Sequence, residues 1–280
     1  MSEATAEEAA RADVTIERGG ARVLQFACLH DNYGFLLRCE ATGTTACIDT
    51  PDAEEIARRV EAWGDGRGGG RLDLILNTHW HPDHTGGNEA LAARYGATII
   101  GPEAEGDRIP GRERAVSDGD EVAVGALRAS VIGTPGHTKG HIAYHFGATG
   151  LDLAFVGDTV FSLGCGRLFE GSPAQMWSSL KRLRALPPET TLLCAHEYTA
   201  ANAAFALSVE PDHAGLRARA EEVAALRAGG RPSVPVRLSD ETALNPFLRA
   251  DDPSLAAALG LGGAGPEAVF GEVRARKDRF

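Results

Sequence analysis

The segment Asn77-Thr78-His79-Trp80-His81-Pro82-Asp83-His84 constrains this chain more than any other stretch. Three imidazoles and one carboxylate fall within six residues, directly after the apolar run Leu72–Leu76. Imidazole nitrogen and carboxylate oxygen suit zinc and the neighbouring first-row metals. In extended backbone His79 and His81 share a side, because strand side chains repeat every two residues. Pro82 turns the chain, so Asp83 and His84 are placed to serve a second ion a few ångströms away. Left without an ion, so many titratable groups at one strand end would be unfavourable to bury. The fold must therefore end a strand at an open edge and bring further ligands there.

Three later segments have the required form, a ligand-type residue at the end of an apolar run beside glycine, alanine or proline. They are Thr134-Pro135-Gly136-His137-Thr138, Phe155-Val156-Gly157-Asp158-Thr159 and Leu193-Cys194-Ala195-His196-Glu197. Glycine at such a place lets two backbones approach closely. His30, His141, His145 and His213 lack this setting and read as ordinary core or surface histidines.

The rest of the chain supplies the strands. Val23–Leu29, Gly34–Cys39, Thr45–Ile48, Leu72–Leu76 and Ala97–Ile100 read as short strands. Glu121–Val124 and Leu127–Ile132 flank Gly125 as a hairpin, followed by strands Ile142–Phe146, Leu153–Val156 and Thr191–Ala195. Helical spacing marks Asp52–Trp63, which runs into a Gly-rich loop at Gly64–Gly70, and also Asn88–Tyr95 and the amphipathic Pro173–Leu186. Beyond His196 the pattern turns helical, at Ala200–Leu207, Leu216–Ala228 and Pro266–Lys277, with a Pro-containing connector from Arg231 to Pro246. So many strands per helix favour two sheets with helices outside over an alternating parallel sheet. The expected organisation is an acidic disordered tail at 1–12, an α/β catalytic body at 13–197 and a smaller helical domain at 198–280.

Bulk properties narrow the function. With 43% hydrophobic and 24% charged residues in 280, the chain is an ordinary globular protein able to bury a core without disulfides. A net charge of −11 disfavours a nucleic-acid binder. The five cysteines are widely spaced and form no CxxC pair, which points to buried thiols in a reducing compartment. No stretch matches a secretory signal or the ~20 apolar residues of a membrane span. The expectation is a cytoplasmic monomer with no membrane or nucleic-acid partner.

The H-x-H-x-D-H run, with His137, Asp158 and His196 in order after it, resembles the signature of the metallo-β-lactamase superfamily. The resemblance covers nearly the whole chain and implies an αββα sandwich with two metals at one edge of the sheets. It implies that His79, His81 and His137 hold one ion, that Asp83, His84 and His196 hold the other, and that Asp158 bridges them. The ions would be zinc, with iron or manganese as alternatives. Two ions sharing a carboxylate can also share a water and supply hydroxide at neutral pH, with Asp83 orienting it. Cys165 and Cys194 take no part in such chemistry.

Further segments resemble one family within the superfamily, glyoxalase II, the hydroxyacylglutathione hydrolases. They are Asp31-Asn32-Tyr33, Gly164-Cys165-Gly166-Arg167-Leu168-Phe169-Glu170-Gly171, His196-Glu197-Tyr198-Thr199, Asn245-Pro246-Phe247-Leu248-Arg249 and the basic end Arg274–Phe280. The resemblance implies hydrolysis of S-D-lactoylglutathione, with Arg167, Phe169, Tyr198, Arg274 and Lys277 contacting the substrate. Arg167 stands where the family often has lysine, and Phe169 where it often has tyrosine; the second change removes a hydroxyl and leaves a packing contact. Arg274 and Lys277 are three apart and share a helix face, suited to a carboxylate of glutathione. Three other readings compete: a mononuclear iron dioxygenase acting on glutathione persulfide, a nuclease, and a non-catalytic metal-binding protein.

Overall fold

Alternation and short apolar runs organise the first third of the chain into one sheet. The computed structural model describes residues 12–63, 70–147 and 150–280. Most of the expected tail (residues 1–11) and of the Gly-rich loop (64–69) lie outside the described residues. Strands β1 (Val14–Arg18), β2 (Ala21–Cys28), β3 (Asn32–Cys39) and β4 (Thr45–Ile48) pair antiparallel as neighbours. Helix α1 (Ala53–Ala62) follows, capped by the Asp52 side chain on the Glu54 and Glu55 amides. Strands β5 (Leu74–Leu76), β6 (Thr98–Pro102) and β7 (Arg114–Val116) then extend the sheet parallel to β4. Between β5 and β6 lie the one-turn helix α2 (Pro82–Thr85) and helix α3 (Asn88–Tyr95).

A second sheet has the order β15-β14-β11-β10-β9-β8. Its members are β8 (Glu121–Val124), β9 (Leu127–Gly133), β10 (Ile142–Phe146), β11 (Leu153–Gly157), β14 (Thr191–Cys194) and β15 (Val236–Arg237). A separate small hairpin joins β12 (Val160–Phe161) to β13 (Gly164–Cys165). Side chains from both sheets share one core, with Phe35 of β3 edge-to-face on Phe155 of β11 at 5.5 Å. The other face of the first sheet packs Phe26, Leu36 and Ile75 against Ile56 and Val60 of α1 and Leu91 of α3. Helix α4 (Pro173–Arg184) begins with a capping box at Ser172 and Gln175 and buries Met176, Trp177, Leu180 and Leu183. The result is the expected αββα sandwich with a C-terminal helical region.

That region comprises α5 (Thr199–Val209), α6 (Ala214–Ala228), α7 (Leu238–Leu244), α8 (Pro253–Ala258) and α9 (Pro266–Arg279). It has no core wholly of its own: Phe205, Phe247, Phe270 and Val273 belong to the same buried cluster as the sheets. The segment expected as a plain connector, Arg231 to Pro246, instead contains β15 and α7. Val236 and Arg237 add an edge strand to β14, and α7 buries Leu238 and Glu241. Strands of two residues carry no periodicity, which is why β12, β13 and β15 escape sequence reading. Among the described residues no helix is long and apolar enough to cross a membrane.

Candidate metal centre

The sandwich brings its ligand-type residues together because four chain segments end at one edge. β5 leads into His79, His81, Asp83 and His84; β9 leads to His137, β11 to Asp158 and β14 to His196. The α2 turn starts at Pro82, whose missing amide hydrogen is harmless in a first turn, and it lifts Asp83 and His84 beside the two earlier histidines. Gly157 is in the left-handed region (φ 48°), and a Cβ there would meet Thr78 Oγ1 at 2.6 Å and His141 Nε2 at 2.7 Å.

Two overlapping clusters result. In the first, His81 Nδ1 lies 3.0 Å from His79 Nε2 and 2.9 Å from His137 Nε2. In the second, Asp83 Oδ2 lies 3.4 Å from His84 Nε2 and 3.5 Å from His196 Nε2. Asp158 stands between them: Oδ2 is 3.3 Å from His137 Nε2, while Oδ1 is 3.3 Å from both His84 Nε2 and His196 Nε2. The trios His79-His81-His137 and Asp83-His84-His196 each have their ligand atoms within 4.8 Å of one another. His84 Nε2 and Asp158 Oδ1 are buried without a hydrogen-bond partner. Orphaned buried polar atoms facing one another, on an imidazole and carboxylate donor set, fit divalent cations.

Three residues that the sequence reading passed over as site residues hold these side chains in place. Asp49 accepts from His84 Nδ1 at 2.8 Å and from the Thr78 amide and hydroxyl, each at 2.8 Å. Asp31 faces His196 Nδ1 at 2.9 Å. The Asp158 amide donates to His141 Nε2 at 3.0 Å, so the ring carries its proton on Nδ1, toward Thr134 Oγ1 at 2.8 Å. His141 is thus a satisfied core histidine, as expected, and also fixes the backbone of Asp158. Such partners set ring orientation and basicity in metal sites. Among the ligand-type residues themselves, His137 Nδ1 donates to the Arg167 carbonyl at 2.9 Å, and Asn32 Nδ2 donates to Asp83 Oδ2 at 3.0 Å.

Charge divides the centre. Burial opposes ionisation of His84, yet Asp158 and Asp49 hold its imidazole well above the usual histidine range. His196 is likewise raised against burial, by Asp158 and Asp31, to about 9. His79 is pushed well down by burial, helped by His84. Against its own burial, Asp158 is held well below the carboxylate range by His196 and His84. The metal-free centre at pH 7 therefore carries protons on His84 and His196 that a cation must displace. Cation binding to metal-free protein is expected to release protons at pH 7, with affinity rising about tenfold per pH unit for each proton displaced up to about pH 9. Titration of chelator-treated protein with zinc in weak buffer reads this directly, and a pH-independent affinity between 6 and 8 would contradict it.

The centre opens into a cavity of about 670 Å³ lined by His81, Asp83, His137, Asp158 and His196. Its other walls carry Arg167, Phe169, Tyr198, Arg274 and Lys277, every contact residue expected from the sequence. Phe169 is exposed and lies edge-on to His81 and His137 at 5.5 and 5.2 Å. Tyr198 stacks flat on His196 at 4.7 Å. Arg274 is less available than its sequence suggests: Nε and Nη2 bond Asp278, and Nη1 donates to the Cys165 carbonyl at 3.0 Å. Lys277 bonds the Ala201 carbonyl at 3.1 Å, and burial, with Arg274 and Arg167 near it, lowers its pKa to about 8. Burial lifts the Cys165 thiol to about 11 despite Arg274, and lifts Cys194 well above the thiol range, so neither supplies a thiolate at neutral pH.

Residues 35–196 match the profile of the metallo-beta-lactamase superfamily, and residues 197–280 match that of the hydroxyacylglutathione hydrolase C-terminus. A hydroxyacylglutathione hydrolase of Maricaulis maris is 51% identical over 258 residues, covering 92% of this chain and 98% of the relative. Another, of Erythrobacter litoralis, is 52% identical over 256 residues, covering 91% and 98%. Among solved structures, ETHE1 from Myxococcus xanthus superimposes with a TM-score of 0.60 at 25% identity, covering 95% of this chain and 98% of that one. A metallo-beta-lactamase from Staphylococcus aureus gives 0.62 at 20% identity, covering 92% and 72%, a likeness of fold alone.

Proposed function

This chain belongs to the hydroxyacylglutathione hydrolase family of the metallo-β-lactamase superfamily, and on that premise we propose how it acts as a metal-dependent thioester hydrolase. Water and S-D-lactoylglutathione become D-lactate and glutathione, and a related S-2-hydroxyacylglutathione gives its own 2-hydroxy acid and glutathione. The observation that carries this reading is the meeting, in one cavity, of the two ligand clusters with Tyr198 and Lys277 of the C-terminal region. His79, His81 and His137 would hold one divalent ion and Asp83, His84 and His196 the other, with Asp158 placed between the two clusters to serve both. Zinc suits this donor set, and iron or manganese are the alternatives. Bound there, such ions make water nucleophilic at neutral pH and offset charge growing on a carbonyl oxygen.

The chain's own groups do the rest. Asp83 Oδ2, held by Asn32, faces the cavity and orients the attacking water. Phe169, edge-on to His81 and His137, offers the thioester an apolar packing contact. Arg167 and Lys277 supply cations to the glutathione carboxylates, while Arg274 chiefly ties α9 to the Cys165 backbone. All five cysteines are buried outside disulfides, which supports a cytoplasmic setting. Purified protein with metal should hydrolyse S-D-lactoylglutathione and consume no oxygen with glutathione persulfide. Oxygen uptake without hydrolysis would overturn this reading in favour of the dioxygenase.

A carboxylate contact far from the scissile bond stabilises ground and transition states alike. Lys277→Ala should therefore raise KM with kcat less affected, lowering kcat/KM roughly ten- to a hundredfold for a lost charge-assisted bond. Because burial lowers the Lys277 pKa to about 8, wild-type KM should climb as pH passes through that value and the cation is lost. Lys277→Arg should move the climb to higher pH. A KM that is flat to pH 9 in the wild type would remove Lys277 from the substrate contacts.

A further inference from the structure

The β12–β13 hairpin forms one wall of the cavity, yet its tip is built unfavourably. Leu163 sits there with φ 56°, a left-handed conformation rare for a non-glycine residue. Strain of this kind persists only where surrounding structure enforces it, and it gathers at functional sites. Here, among the described residues, the side chains that bond the tip come from α5, α7 and the residue that caps α7. Asn245 Nδ2 donates to the Phe161 and Gly164 carbonyls at 3.1 and 3.0 Å. Glu241 Oε2 accepts from the Leu163 amide at 2.8 Å and from Asn245 Nδ2 at 2.9 Å. Asn202 Nδ2 donates to the Ser162 carbonyl at 3.0 Å. All three side chains are buried. The Leu163 side chain is itself seated in a small cluster with Ala203 and Ala206 of α5 and Leu216 of α6.

What the tip controls lies on either side of it. The hairpin starts two residues after Asp158 and ends two residues before Arg167. The Phe161 ring meets His196 edge-on at 5.7 Å and Tyr198 at 5.2 Å. Gly166 lies so close to Asp158 that a Cβ would fall 2.0 Å from its carbonyl oxygen. The Arg167 carbonyl accepts from His137 Nδ1. A shift of the hairpin would move Phe161, Cys165 and Arg167 in the cavity wall at once.

We propose that Asn245, Glu241 and Asn202 are positioning residues, a clasp through which the C-terminal helices hold the β12–β13 hairpin in its strained form and so set the shape of the substrate cavity. The helical region then serves the site twice, with Lys277 in the wall and with a clasp of which Asn202 also borders the cavity while Asn245 and Glu241 lie behind it. The assay rests on the thioester hydrolase reading, so wild-type hydrolysis of S-D-lactoylglutathione is established first; its absence would count against that reading and not against the clasp.

The experiment compares metal-loaded wild type with Asn245→Ala, Asn245→Asp, Asn202→Ala, Glu241→Ala and Glu241→Gln, recording KM, kcat, Tm and metal content. Val223→Ala, a buried change in α6 away from the cavity, serves as the control for general destabilisation. Asn245→Ala and Asn245→Asp both lose the amide donor and should lower kcat/KM about tenfold or more, mainly through KM, with metal content unchanged. Asn202→Ala removes one bond and should show a smaller loss in the same direction. Glu241→Gln keeps an acceptor for the Leu163 amide and should retain most activity that Glu241→Ala loses. If the Asn245 variants fail to fold, the Glu241 pair decides, because Asn202 also lines the cavity and could touch substrate directly. The proposal is overturned if folded clasp variants stay within about twofold of wild type, or lose no more kcat/KM than Val223→Ala at a similar fall in Tm.

Discussion

Replacing Asp158 with alanine is expected to remove metal from both clusters and to lower kcat about a thousandfold or more, the largest single effect in the molecule. Its two oxygens face different clusters, Oδ2 toward His137 and Oδ1 toward His84 and His196. No neighbour can replace it. Asp83 faces His84 and His196, and Asp49 and Asp31 are engaged on the far nitrogens of those rings. The variant would also leave His84 and His196 with less of the negative charge that sustains their protons. Elemental analysis should find well under the wild-type metal content, rather than loss of one ion alone. Removing metal from the wild type with a chelator should abolish activity, and zinc should restore it. Asp158→Ala retaining full metal and losing activity only a few fold would remove the bridging role.

Replacing Arg249 with alanine should instead unfold the molecule more easily while leaving the cavity chemistry untouched. Arg249 Nη1 and Nη2 grip Glu210 at 2.7 and 3.1 Å, and Nη2 also reaches Asp252 at 2.7 Å. Both Arg249 and Glu210 are nine-tenths buried or more. Taking away one partner leaves a buried charge uncompensated, a loss of ~3–5 kcal/mol. For a chain of this size that corresponds to a fall in Tm of roughly 6–20 °C. Glu210→Gln combined with Arg249→Met removes both charges and should recover part of the loss. Thermal unfolding followed by circular dichroism reads all three proteins. An Arg249→Ala protein melting within about 2 °C of wild type would show that the pair contributes little.

The residues that gather in the two clusters were legible in the sequence because metal chemistry depends on residue type and short spacing. His79, His81, Asp83 and His84 fall within six residues, and His137, Asp158 and His196 each follow an apolar run that becomes a strand. The alternation of burial in β8 and β9, and the Ser172 capping box of α4, are equally local signals. What the sequence concealed is what distance along the chain conceals. Asp49 reaches His84 across 35 positions with no local pattern to mark it, and Asp31, though in a segment that resembles the family, reaches His196 across 165, a pairing the segment itself does not show. His141 looked ordinary because its service to Asp158 exists only once β10 and β11 lie side by side. Likewise Arg274 read as a free cation until the fold set Asp278 and the Cys165 carbonyl against it. Sequence alone determined which atoms could bind a cation, since that is intrinsic to imidazole and carboxylate. Tertiary structure decided their protonation, orientation and freedom, since those depend on burial and on charges brought near from elsewhere in the chain.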